Sequence, residues 1–87
     1  MPDSDRWIAT FLEAQAADLG ASRNTQLAYG RDLKDFAGWL AGRDRSFDSA
    51  TRADIEAYLI ACARDGLART TRARRLSAIR QLYRFAF

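Results

Sequence analysis

Apolar side chains recur every three or four residues in four separate blocks of this chain, and glycine or small polar residues close each block. An α-helix turns once in about 3.6 residues, so this spacing gathers the apolar groups of each block on one side of a helix. No stretch alternates apolar and polar residues as a half-buried strand would, and valine is absent altogether. The first block predicts a helix from about Asp5 to Leu19, with Ser4 or Asp3 as N-cap and Gly20 just past the end. Its stripe is Ile8, Phe11, Leu12, Gln15 or Ala16, and Leu19, with Trp7 at the edge. The second runs from about Arg23 to Ala41, capped by Ser22 and stopped near Gly42. Tyr29, Leu33, Phe36 and Leu40 form its core side, while Leu27, Arg31, Lys34 and Gly38 lie opposite.

The third block opens with Thr51-Arg-Ala-Asp54, a capping box ending in an acid, and places Ile55, Tyr58, Leu59 and Cys62 on one face before closing at Asp65-Gly66. The fourth starts near Ala68–Thr70 and runs to the last residue. Its apolar face is Leu76, Ile79, Tyr83 and Phe87, flanked by Leu82 and Ala86, with Thr70, Arg74, Ser77 and Gln81 opposite. Each helix has a single stripe and none is stable alone, so the expectation is an all-α fold, a compact orthogonal four-helix bundle burying all four stripes together. The 87 residues make one domain, because a second core could not be buried within that length. Phe47, in the polar connection from Gly42 to Ala50, is expected to plug back onto the core. The chain stops at Tyr83-Arg-Phe85-Ala-Phe87 in mid-helix, with Phe85 turned away from the stripe. We read this as a domain cut from a longer protein.

Charge is divided unevenly along the chain. Residues 68–87 carry six arginines (Arg69, Arg72, Arg74, Arg75, Arg80 and Arg84) and no acid, whereas the first 67 residues hold eight bases against all eleven acids. A local positive excess calls for a polyanionic partner, and the planar arginine fork suits phosphates and guanine edges. Other chemistries are short of residues. With no histidine there is no histidine base, triad or metal ligand, and the single Cys62 allows neither an intramolecular disulfide nor a thiolate zinc cluster. No glycine-rich phosphate loop occurs. The acidic neighbours Asp32 and Asp35, and Asp54 and Glu56, are read as solvated or capping residues. Tyr29, Tyr58 and Tyr83 are read as core aromatics. No catalytic residue, metal, cofactor or small-molecule ligand is expected. The longest apolar run, Ala57 to Ala63, is too short for a membrane span, and the start is acidic where a signal peptide is basic. The expectation is a soluble, cytoplasmic protein.

A helix fits the major groove of duplex DNA, where its outward side chains reach base edges and flanking cations grip phosphates. The last helix has that form: Arg69 and Thr70 stand at its N-terminal end, then Arg74 and Ser77, with Ala73 and Ala78 leaving room for close approach. Arg80 and Arg84 lie toward the stripe's boundary. Asn24, Leu27, Arg31 and Lys34 give the second helix a smaller polar face.

At these residues the sequence resembles a known family. Asn24-Thr-Gln-Leu-Ala-Tyr-Gly-Arg-Asp-Leu33 is similar to the N-T-x-x-x-Y-x-R-D-L segment of tyrosine site-specific recombinases, the Xer and phage-integrase group. Thr70-Thr-Arg-Ala-Arg-Arg-Leu-Ser-Ala-Ile-Arg80, followed by Leu82-Tyr83, resembles that family's T-x-x-x-R-x-L-S-A-[IV]-R segment, and Trp7-Ile-Ala-Thr-Phe-Leu-Glu13 its first helix. The resemblance implies a bacterial, nucleoid-associated recombinase's SAM-like core-binding domain, half of a clamp on double-stranded DNA whose second and fourth helices cross the major groove. It implies recombinase protomers as partners in a tetrameric synaptic complex, and a catalytic C-terminal domain lying outside this chain. The DNA-facing set it implies is Asn24, Thr25, Ala28 and Arg31 with Arg69, Thr70, Arg74, Ser77 and Arg80; Lys34 joins it from the polar face of the second helix. Arg72 and Arg75 depart from the family pattern and are expected to snorkel or to meet a neighbouring protomer or domain. The alternatives are a helical module whose basic last helix docks an acidic protein, and a helix-turn-helix regulator. The DNA reading requires the last helix's guanidinium groups to face outward beside the second helix, not to fold into internal ion pairs.

Overall fold

A computed structural model describes residues 2–20 and 22–86, without the side chains of Pro2, Asp3, Asp18 and Leu19. Four helices follow in order: α1 Pro2–Leu19, α2 Arg23–Ala41, α3 Arg52–Arg64 and α4 Arg69–Ala86, with no strand among the described residues. α2 and α4 each pack against the other three helices, whereas the backbones of α1 and α3 stay apart. This is the expected all-α architecture. No helix among the described residues is long and apolar enough to cross a membrane.

The ends of α2 and α3 follow from local chemistry. The Ser22 hydroxyl caps α2 by accepting from the Thr25 backbone N–H at 3.1 Å. At α3 the Thr51 hydroxyl accepts from the Asp54 N–H at 3.3 Å, and the Asp54 carboxylate accepts from the Thr51 N–H at 2.8 Å, closing the capping box. Gly20 and Gly66, at φ 63° and 83°, take the left-handed conformation that ends helices, as their positions predict. The start of α1 is a correction. The helix begins at Pro2, so Ser4 is no cap but lies inside the helix, 3% exposed. Proline suits a first turn because its missing N–H has no intrahelical partner there anyway. Asp3 as a cap, and the stripe positions of Leu19 and Phe87, fall outside the described residues.

The core gathers Ile8 and Phe11 of α1, Leu33, Phe36 and Leu40 of α2, Tyr58 and Cys62 of α3, and Ala78, Ile79 and Leu82 of α4. Phe47 plugs the connection onto this core as expected, 2% exposed. Its ring joins a column of aromatics: Trp7 lies 5.7 Å away, Phe36 5.9 Å, and Tyr58 is 4.9 Å beyond Phe36. The Tyr83 hydroxyl donates to the Phe47 carbonyl at 2.6 Å, which ties α4 to the connection. Burial pushes that phenol up to about 12, so it stays a donor. On α4 the buried centre is Ala78, Ile79 and Leu82, with Leu76 and Tyr83 only half-buried. The stripe is therefore turned toward the flank that the spacing assigned to Leu82. A helix packed on three neighbours buries a wide arc, and Ala78 fits where backbones come close.

Two outcomes test this account. Phe47→Ala removes a buried ring that nothing nearby can replace, so it should cost about 3–5 kcal/mol in urea or thermal unfolding. The Thr51 N–H, with lesser help from the Thr51 hydroxyl, Arg45 and Arg43, outweighs burial and holds the Asp54 carboxyl below its ordinary 3.8. A depressed carboxyl stabilises the fold above its unfolded pKa and loses that effect as pH falls through the folded value. The stability gap between the wild type and Asp54→Asn should thus be full above about pH 5 and shrink progressively as pH falls through the ordinary carboxylate range and below it, read by urea titration at each pH.

Candidate nucleic-acid interface

The six arginines of α4 divide into two groups. Arg69, Arg80 and Arg84 are exposed and have no ion pair among the described residues. Arg74 and Arg75 instead reach α2. The Arg74 Nε donates to Asp32 Oδ2 at 2.8 Å and its Nη2 to Asp32 Oδ1 at 2.9 Å, a two-pronged pair. Arg75 places Nε 3.5 Å from Asp32 Oδ1 and donates through Nη1 to Asp35 Oδ2 at 2.7 Å and to the Tyr58 hydroxyl at 2.8 Å. Tyr58 donates in turn to Asp35 at 2.7 Å. Burial, then the bond to Asp35, raises its phenol above the ordinary range, so it remains a donor. Arg72 is half-buried, and its buried Nε has no hydrogen-bond partner among the described residues.

Two of the six guanidinium groups thus sit in internal ion pairs: Arg74, against the expectation that it faces outward, and Arg75, which was expected to snorkel or to meet a neighbouring protomer or domain. Arg75, with a side chain 19% exposed, is a strut of the fold, while Arg74, at 44%, keeps an open side. Asp32 and Asp35 are not merely solvated. Asp32 is 2% exposed and holds both arginines. Its position on the helical wheel, about 40° from Phe36 at the edge of the core stripe, was the available signal. Gln81, assigned to the outer face, is a second omission. It accepts from the Gln15 amide at 2.6 Å and donates to the Tyr29 hydroxyl at 3.2 Å and to the Ser77 hydroxyl at 3.0 Å, linking α1, α2 and α4.

The remaining residues of the expected set are spread as follows. Asn24, Thr25 and Arg31 are exposed on α2 and Ala28 is half-buried, while the Thr25 hydroxyl is engaged by Ser22 at 2.9 Å. Thr70 is exposed near the start of α4. Ser77 and Arg80 line one shallow groove with Ala73, Gln81 and Arg84. Lys34 departs from the group: it borders the cleft between α2 and α3 with Gly38, Trp39, Ala61 and Asp65. The Asp32–Arg74 pair marks the seam between the helices. Ala28 lies one turn before Asp32, and Thr70 and Ser77 lie one turn to either side of Arg74.

A small helical domain carrying exposed arginines on its last helix, beside a second helix locked to it by ion pairs, is the class this geometry defines. The chain belongs to the family of phage integrase N-terminal SAM-like domains, whose model matches residues 8–87. It is 42% identical over 85 residues to the tyrosine recombinase XerD of Caulobacter vibrioides, covering 98% of this chain and 28% of that protein. It is 42% identical over 80 residues to the tyrosine recombinase XerD of Agrobacterium fabrum, covering 92% of the chain and 24% of that protein. Against the XerD of Rhizobium meliloti it is 38% identical over 84 residues, 97% of the chain and 27% of that protein. The chain thus spans about a quarter of the length of these relatives. No solved structure matches it.

Replacing the buried carboxylate tests the seam. Asp32→Asn keeps the shape and one acceptor but removes the charge facing both guanidinium groups. Hydrogen bonds to charged groups carry about 1.5–3 kcal/mol, and the exposure of Arg74 screens part of that. The expected loss in urea unfolding is about 1–2 kcal/mol, and it should be smaller when Arg74 is already methionine.

Proposed function

We propose that residues 1–87 form a single duplex-DNA-binding unit, the N-terminal clamp domain of a bacterial tyrosine recombinase acting in site-specific recombination. The observation that carries this reading is the outward row of arginines on α4, free of acids and joined to α2 by the Asp32–Arg74 seam. Membership of the phage-integrase N-terminal family supports it. In this reading α4 enters the major groove, with Arg69 and Thr70 at its tip and Ser77 and Arg80 along its outer side. Asn24, Thr25, Ala28 and Arg31 of α2 lie beside the neighbouring backbone, and Lys34 reaches phosphate only from the far side of α2. Arg31, Arg69, Arg80 and Arg84 carry the phosphate attraction. The chain itself performs no strand chemistry. Its partners are double-stranded DNA and recombinase protomers in a tetrameric synaptic complex, at the nucleoid.

Salt dependence tests the electrostatic part. Neutralising about four phosphates releases their counterions, so log affinity for duplex DNA should fall against log salt with a slope of roughly −3.6. Arg80→Ala should weaken all duplexes alike and make that slope shallower by about 0.9. A titration flat in salt, or no retention of duplex at low salt, would rule against DNA and favour an acidic protein partner.

A further inference from the structure

A guanidinium group offers its five N–H bonds along three edges. Asp32 occupies one of them, taking Nε–H and one Nη2–H of Arg74 at 2.8 and 2.9 Å. The end of the group, with the second Nη2–H and an Nη1–H side by side, has no hydrogen-bond partner among the described residues, and the side chain keeps 44% of its exposure. Two parallel N–H groups at that spacing fit the O6 and N7 acceptors of guanine in the major groove, and they fit two phosphate oxygens equally well in shape.

Local charge separates those two targets. Arg74 and Arg75 face Asp32 and Asp35 in one connected cluster, two cations against two anions. The cluster has no net charge, so it adds little to the attraction for an anionic phosphate. A neutral acceptor pair loses nothing by this, because it is recognised by direction. Direction is what the seam supplies: two hydrogen bonds to a carboxylate that is only 2% exposed hold the guanidinium plane before any ligand arrives. The neighbouring turn is small-sided, with Ala73 and Ser77 sharing the groove on the outer face of α4, so the helix can come close to base edges.

We propose that Arg74 reads a guanine in the bound duplex and that Asp32 is its positioning residue. This rests on the DNA-binding reading above and goes beyond it by naming which arginine reads a base and what aims it.

The test is selection from a pool of duplexes randomised in sequence, at low salt, with the wild-type chain, Arg74→Lys, Arg74→Ala and Asp32→Asn. Sequencing of the retained DNA and the salt slope are read for each. The wild type should retain duplexes that share a guanine at one fixed place, favoured roughly ten- to hundredfold over other bases. Arg74→Lys keeps the charge but not the fork, and it should lose the preference at that place alone, with the rest of the motif and the salt slope unchanged. Asp32→Asn should relax the same preference several-fold with Arg74 intact. Should Asp32→Asn fail to fold by circular dichroism, Arg74→Lys carries the test alone. Uniform weakening by Arg74→Ala on all sequences, with a slope shallower by about 0.9, makes Arg74 a phosphate contact and overturns the proposal while leaving DNA binding intact. Retained duplexes with no shared guanine overturn it in the same way. A full guanine preference in folded Asp32→Asn overturns the role of Asp32. Failure of the wild type to retain any duplex sinks the DNA-binding reading itself.

Discussion

A helix with six arginines and no acid must lie against three other helices, and the carboxylates of Asp32 and Asp35 on α2 are what let it do so. Arg75 sits on the buried side of α4, where an unpaired guanidinium group would carry a heavy desolvation cost. Asp35 and the Tyr58 hydroxyl bond it, and Asp32 adds a near charge while binding Arg74 by two hydrogen bonds. These contacts fix how α4 is rotated on α2. That rotation decides which arginines are struts and which point outward.

The same helices are joined a second time through amides. Gln81 stands one turn past Ser77 and bonds to Gln15, Tyr29 and Ser77, so three helices meet at one polar residue. On the far side the aromatic column from Trp7 through Phe47 and Phe36 to Tyr58 supplies the apolar counterpart. Polar links tie α4 to α2, and the rings tie α2 to α3 and to the connection. Such bracing suits a surface proposed to dock on a regular duplex.

Much of the fold was legible in the pattern of residues. Gly20, Ser22, Thr51 and Gly66 mark helix ends because each answers a local need, a left-handed turn or an acceptor for free N–H groups. Phe47 was legible because so large a ring in a polar connection has nowhere else to go. The early start of α1 was not, because a serine near a helix start looks like a cap until packing buries it; Ser4 is 3% exposed. Of the proposed site, the basic face of α4 could be seen in outline. The wheel could set Asp32 beside the core stripe but could not name its partners, nor those of Gln81, because these depend on which neighbour lies across from each.

The sequence alone determined four helices, their approximate ends, a single shared core and a surplus of arginine confined to the last helix. All of these follow from spacing and local backbone chemistry, which act over a turn or two of chain. Only the tertiary structure decided that two of those arginines are neutralised by aspartates about 40 residues away (42 for Arg74 and Asp32, 40 for Arg75 and Asp35) and that one of them keeps an open fork. Charge pairing depends on distance through space, and a helical wheel carries no record of what stands on the opposite helix.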